Sequence, residues 1–208
     1  MRAFLLLPCL LLAASCSTSE TGQAAGSNPA SADTAATRLE PLDTARAGAA
    51  DVLADTLKTV RRHHVFSNPA APDEFRLTLR GKDILTGEVT FTITDASGQV
   101  IFREMLAAAD LEASMVYEMK TPTATPAERE AYIRRRIDEF FADRNFQRPA
   151  LSTAAAYQAG PTDRATWTDL QKRPDAVGFL YVVGKEDRRR IAYSPRSKQV
   201  VKLPGLGS

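Results

Sequence analysis

Two stretches of strict alternation constrain this chain more than any other feature. Phe75, Leu77 and Leu79 are interleaved with Arg76, Thr78 and Arg80, and Val89, Phe91 and Ile93 with Thr90, Thr92 and Thr94. Successive side chains of a strand point to opposite faces, so a period of two gathers every large apolar group on one side and leaves a polar side for water. The abundance of β-branched residues favours the same conformation. Asp95-Ala96-Ser97-Gly98 follows as a type I turn, with Asp at its first position and Gly where a positive φ is needed, and Val100, Ile101 and Phe102 resume at once. The pattern predicts a hairpin there. Asp95 and Ser97 do not open a calcium loop, because Gln99 stands at position five, Val100 where Gly is required and Leu106 where the bidentate Glu belongs.

Downstream, Leu111, Met115 and Met119 recur every four residues and permit a short helix between 107 and 119. Thr125-Pro126-Ala127-Glu128 has the form of a capping box with Pro at the first helical position. Tyr132, Ile133, Ile137, Phe140 and Phe141 then mark an apolar stripe, and Pro149 closes the segment, which predicts a long helix over 126–147 lying as a lid on the sheet. Arg134, Arg135 and Arg136 are spaced to pair with Glu130, Asp138 and Glu139 along that helix and read as its solvated face. Trp167 and Leu170 are expected in short helical or irregular structure at the edge of the core. Val177 to Val183, Arg190 to Tyr193 and Gln199 to Leu203 read as three further strands, with Lys185 to Arg190 as a charged hairpin end. No alternating βαβ pattern demands a parallel sheet. The expected fold is α+β: a small antiparallel sheet, in two groups of about three strands, covered by a long amphipathic helix and forming a single domain over 73–205.

Upstream of that domain, Val52, Leu53, Leu57 and Val60 fall at helical spacing and predict an amphipathic helix over 44–66. Arg61-Arg62-His63-His64 would sit at its C-terminus, where cations are favourable, and Pro69 and Pro72 would end it. From Ser17 to Thr37 there is no large apolar residue, so 16–43 is expected to be a disordered tether. Flexible chain of about 30 residues spans on the order of 30 Å.

The first residues have the layout of an export signal: Met1-Arg2, an apolar run from Ala3 to Leu12, then Ala13-Ala14-Ser15 before Cys16. A run this short does not cross a hydrocarbon core, which takes roughly 20 helical residues. Leu12-Ala13-Ala14-Ser15-Cys16 resembles the lipobox of bacterial lipoproteins, with Ala13 where that motif usually has Leu. The resemblance covers the first 16 residues only. It implies a signal peptide over 1–15, lipid attachment at Cys16 and anchoring to the cell membrane through the acylated N-terminus. With Ser17 next, it implies an outer-membrane destination, on the periplasmic or outer face. The cysteine count agrees, because Cys9 lies in the segment to be removed and Cys16 at the cleavage point, leaving no thiol unaccounted for.

Composition narrows the function by exclusion. Lys and Arg number 27 against 25 Asp and Glu, a net charge of +2 without the basic excess that phosphate neutralisation requires, so nucleic acid is not an expected partner. With 44% hydrophobic and 25% charged residues the chain is of ordinary globular composition, not a multi-span membrane protein. No nucleophile elbow, zinc-protease helix, phosphate loop or dinucleotide fingerprint occurs. The two histidines, His63 and His64, are adjacent, so neither a helix nor a strand aims both at one metal. No cofactor, metal or catalytic residue is therefore assigned. The reading is a non-catalytic binding or interaction module of the cell envelope, with a protein, glycan or lipid partner met by exposed aromatics such as Tyr181 and Tyr193. One alternative is a hydrolase of an envelope polymer using two of Asp73, Glu74, Asp83, Asp110 and Glu112. Another is a carrier holding a hydrophobic ligand between helix and sheet.

Overall fold

The alternating stretches form the centre of a four-stranded antiparallel sheet. In the computed structural model, which describes residues 55–204, β1 (Thr56–Asn68), β2 (Ala71–Arg80), β3 (Glu88–Thr94) and β4 (Val100–Ala107) lie in the order β1-β2-β3-β4. Cys16, the signal segment 1–15, the tether 16–43 and positions 44–54 of the expected first helix lie outside the described residues. Phe75, Leu77, Leu79, Val89, Phe91 and Ile93 are all fully buried on one face, as a period of two dictates. The turn forms as its residues require: the Gly98 N–H donates to the Asp95 carbonyl at 2.9 Å, Gly98 has φ 88°, and the Asp95 carboxylate accepts the Ser97 hydroxyl and the Ser97 and Gln99 N–H groups.

A second four-stranded antiparallel sheet has the order β5-β6-β7-β8, from β5 (Phe146–Gln147), β6 (Gly178–Val183), β7 (Asp187–Ser194) and β8 (Gln199–Leu203). The fold is α+β, with helices α1 (Ala108–Glu112), α2 (Pro126–Glu139) and α3 (Arg164–Gln171), and a 3-10 segment, Ala113–Tyr117, after α1. The two sheets share one apolar cluster. Phe75 and Phe91 of the first sheet meet Phe179 of the second at ring-centroid distances of 5.4 and 5.6 Å, and Phe91 meets Tyr181 at 5.5 Å. Ile133 and Ile137 of α2 and the following Phe140 and Phe141 complete the cluster. The other face of the second sheet carries a smaller cluster, in which Trp167 and Leu170 of α3 pack with Leu151, Ala192 and Leu203. Ile191 and Ala192 are consecutive yet both buried, because β7 has a core on each side.

Two expectations are corrected. The helix over 126–147 is shorter: α2 ends at Glu139, buries Tyr132, Ile133 and Ile137, and is followed by a 3-10 turn and β5, so Phe146 is a strand residue pairing with Phe179. The helix predicted over 44–66 is, from Thr56 onward, the edge strand β1, and Arg61 to His64 lie within that strand instead of at a helix end. The physical reason lies in its inward face. Thr56 pairs with Arg80 and Lys58 with Leu79, so Leu57 is the extra residue of a bulge. Leu57 and Val60, three residues apart, both pack against the core and so imitate helical spacing. Lys58, Arg62 and His64 lie opposite Leu79, Phe75 and Asp73, where alternation would lead one to look for apolar residues. Their partners come from elsewhere in the chain: Lys58 pairs with Asp138 at 2.7 Å, Arg62 with Asp143, and the His64 ring stacks on Phe146 at 4.0 Å. Inward charges on an edge strand also discourage pairing with a second chain.

The capping box of α2 forms as its residues imply. The Thr125 N–H and hydroxyl both donate to Glu128 at 2.8 Å, and the Thr125 oxygen accepts the Glu128 N–H at 3.3 Å. Hydrogen bonds from the Thr125 backbone and then its hydroxyl hold the Glu128 carboxyl below its ordinary value, and Thr166 does the same for Asp163 at the start of α3. A carboxylate whose pKa falls on folding stabilises the protein above the ordinary carboxylate range and loses that contribution as pH drops through the lowered pKa. Thr125→Ala is expected to lower the melting temperature by a few degrees at pH 7. The difference from wild type should shrink in a series of thermal melts carried down through the carboxylate range; a difference that grows at low pH would contradict this account.

Candidate functional site

A cleft of about 780 Å³ opens where three elements meet. The 3-10 segment and the residue after it supply Ser114, Tyr117 and Glu118. Helix α2 supplies Tyr132 and Arg136, which are four apart and therefore on one face. The β6–β7 hairpin supplies Val182, Lys185, Glu186 and Arg188. The hairpin is tied to α1 where the Gly184 N–H donates to the Asp110 carbonyl at 2.8 Å, with Gly184 at φ 67° making the turn.

The charges in this cleft are unevenly satisfied. Glu118 takes the Arg135 guanidinium at 2.5 Å and the Tyr132 hydroxyl at 3.4 Å, while Arg135 lies over the Tyr132 ring at 4.9 Å. Glu186 accepts the Tyr117 hydroxyl, a hydrogen bond that raises the pKa of that phenol. Tyr132 also shares a hydrogen bond of 3.0 Å with Ser114. Arg136, Lys185 and Arg188 form no ion pair among the described residues. Arg136 has only the Val182 carbonyl at 3.5 Å for its Nη2, and its buried Nε–H has no acceptor. Three cations, from α2 on one side and the hairpin on the other, thus face one cavity without a carboxylate of their own.

The sequence did not single out these residues. The spacing of Arg134, Arg135 and Arg136 with Glu130, Asp138 and Glu139 suggested pairing along the helix, but Arg135 pairs across to Glu118, Asp138 takes Lys58 and Glu139 takes Arg144 at 2.8 Å. Arg188, Arg189 and Arg190 also part company. Arg188 lines the cleft, Arg189 binds Asp187 and Glu104, and Arg190 is buried with Nη2 on the Pro204 carbonyl at 3.1 Å. The signal that could have found the cleft is the i, i+4 pair Tyr132 and Arg136, which share one face of the helix.

The other candidate residues lie elsewhere in the fold. Tyr181 is not an exposed aromatic but a buried one, and its hydroxyl donates to Glu104, which also binds Arg189 at 3.1 Å and Lys202 at 3.0 Å. Burial, and then the bond to Glu104, push the Tyr181 phenol far above its ordinary value, so this cluster is a neutral-tyrosine latch joining β4 to the second sheet. Tyr193 is half-buried beside a second hollow of about 270 Å³, together with Phe66, Pro69 and Arg173. Among the described residues the exposed aromatic is Tyr117, at 61%. The five carboxylates proposed for a hydrolytic pair go to separate partners: Asp73 to the Phe66 and Ser67 backbone, Glu74 to Arg76, Asp83 to Thr86, Asp110 to the Ala107 N–H and Glu112 to Arg129. Between α2 and the sheets, where a carried hydrophobic ligand would lie, Phe91, Phe140, Phe141 and Phe179 pack with ring centroids 5.4 to 5.9 Å apart, the adjacent pair Phe140 and Phe141 being at 5.2 Å. Among the described residues no three His, Cys, Asp or Glu side chains are grouped to hold a metal, and no helix is long and apolar enough to cross a membrane. No protein family, curated protein or solved structure matches this chain.

Proposed function

We propose that this chain is the precursor of a bacterial lipoprotein, anchored through Cys16 and carrying a non-catalytic binding module of the cell envelope, with the Tyr117–Arg136–Arg188 cleft as its ligand site. The observation that carries the ligand site is the set of three cations, Arg136, Lys185 and Arg188, that line one cavity and form no ion pair among the described residues. A guanidinium held partly out of water without an acceptor is costly to a folded chain, and an anionic ligand in the cleft would supply that acceptor for Arg136. In this reading α2 has two roles. Ile133 and Ile137 cover the aromatic interior, and Tyr132 and Arg136 form a wall of the cleft.

The anchor rests on the Leu12–Cys16 resemblance and on the cysteine count. It is tested by expressing the protein in a lipoprotein-processing bacterium beside Cys16→Ser and measuring the intact mass of the membrane-extracted product. The expected product begins at Cys16, carries diacylglyceryl and acyl groups, and leaves the membrane fraction in the variant. An unmodified wild-type product in the soluble fraction would overturn the anchor.

A further inference from the structure

We infer that the ligand of this cleft is a small organic anion, a sugar carrying a phosphate group, with its charged group held by Arg136 and by Lys185 or Arg188 and its ring lying on Tyr117. The inference rests on the proposal that the cleft is a ligand site, and goes further by naming the chemistry of the ligand.

Three features point the same way. First, the unpaired cations come from both walls, one on α2 and two on the hairpin, which suits a multiply charged oxyanion bridging them better than a single carboxylate. Second, the acidic residues of the lining are already engaged, Glu118 by Arg135 and Tyr132 and Glu186 by Tyr117, so they do not neutralise the three cations by direct contact. Third, the Tyr117 ring is exposed yet restrained by its hydroxyl's bond to Glu186, and a held aromatic face at the rim of a polar cleft accommodates the apolar face of a pyranose. A phosphate on a lipid headgroup offers the same chemistry as one on a free sugar, so the source has to be separated by experiment.

The probes are inorganic phosphate, glucose 1-phosphate, glucose, and vesicles of phosphatidylglycerol or of phosphatidylcholine, each added to the full chain carrying Cys16→Ser so that no acyl anchor contributes. Calorimetry gives affinity, and backbone amide shifts at Tyr117, Arg136 and Lys185 report whether the cleft is the place. Glucose 1-phosphate is expected to bind more tightly than phosphate or glucose and to shift those amides. Arg136→Gln should weaken it about tenfold or more, while Arg134→Gln, an exposed position on the same helix outside the cleft, leaves it within about twofold. Retention by phosphatidylglycerol but not phosphatidylcholine vesicles, lost in Arg136→Gln and without binding of glucose 1-phosphate, would overturn the sugar part of the inference and leave a lipid phosphate headgroup as the ligand of the cleft. If glucose binds the cleft as well as its phosphate does, the anion inference fails and the ligand site stands. If anions bind but shift amides elsewhere and ignore Arg136→Gln, the assignment to this cleft fails. If no probe, charged or neutral, shifts any cleft amide, the ligand site itself fails.

Discussion

Phe91→Ala is expected to lower the unfolding free energy by about 3–5 kcal/mol, toward the upper end of that range. Phe91 sits at the middle of β3, fully buried, and its ring approaches those of Phe75, Phe102, Phe140, Phe141, Phe179 and Tyr181 within 6.2 Å. Those six neighbours come from both sheets and from the end of α2, held in place by different backbones, so they cannot all close on the hole that the ring leaves. Domains of this size are stable by only about 5–15 kcal/mol, and the loss removes a large part of that. Urea unfolding followed by the far-ultraviolet circular dichroism signal should show a lower midpoint with an unchanged slope. Phe91→Leu, which keeps most of the volume, should recover more than half of the loss. A change below about 1 kcal/mol for the alanine variant would mean that the two sheets do not share this core.

The second large effect is expected from a polar residue. Asp73 is completely buried, and its carboxylate accepts the N–H of Phe66 at 3.0 Å, the N–H of Ser67 at 2.7 Å and the Ser67 hydroxyl at 2.6 Å. The β1–β2 register is interrupted between His64 and Asn68, so the backbone there has no ladder partner, and the carboxylate takes the place of the missing carbonyls. That arrangement sends Phe66 into the core, where its ring meets Phe75 edge-on at 5.3 Å. Asp73→Ala removes the acceptor and leaves buried donors unmet, which costs about 3 kcal/mol. Asp73→Asn retains one oxygen and should lose about half as much. Amide hydrogen exchange supplies the local readout, because Phe66 and Ser67 should lose protection ahead of the rest of β1. An alanine variant as stable as wild type would show that water replaces the carboxylate.

Where sequence and structure agree, the determinants are short-range. Strands β2 and β3 follow from alternation along the chain and the β3–β4 pairing from the Asp95–Gly98 turn, and that turn and the Thr125–Glu128 capping box are made by residues at most four apart. Trp167 reads from the sequence as a core-edge residue, and it is 2% exposed in the smaller cluster. Where they part, the partner is distant. Lys58 and Arg62 make sense on the inward face of an edge strand only once Asp138 and Asp143 stand opposite, some 80 residues away. Phe146 belongs to a two-residue strand that exists only because β6 pairs with it.

The candidate site divides in the same way. The proposed lipid attachment at Cys16 rests on five contiguous residues that lie outside the described structure. The cleft is not legible, because an arginine's role is set by which carboxylates reach it. Arg134, Arg135 and Arg136 are identical and consecutive, yet one is exposed, one is paired with Glu118 and one faces a cavity without an acidic partner. The sequence by itself thus determined the strand alternation, the Asp95–Gly98 turn and the Thr125–Glu128 cap, all of which depend on neighbours along the chain. The tertiary structure alone decided the edge strand, the facing of the two sheets and the unpaired cations, because pairing and burial energies come from groups that only folding brings within reach.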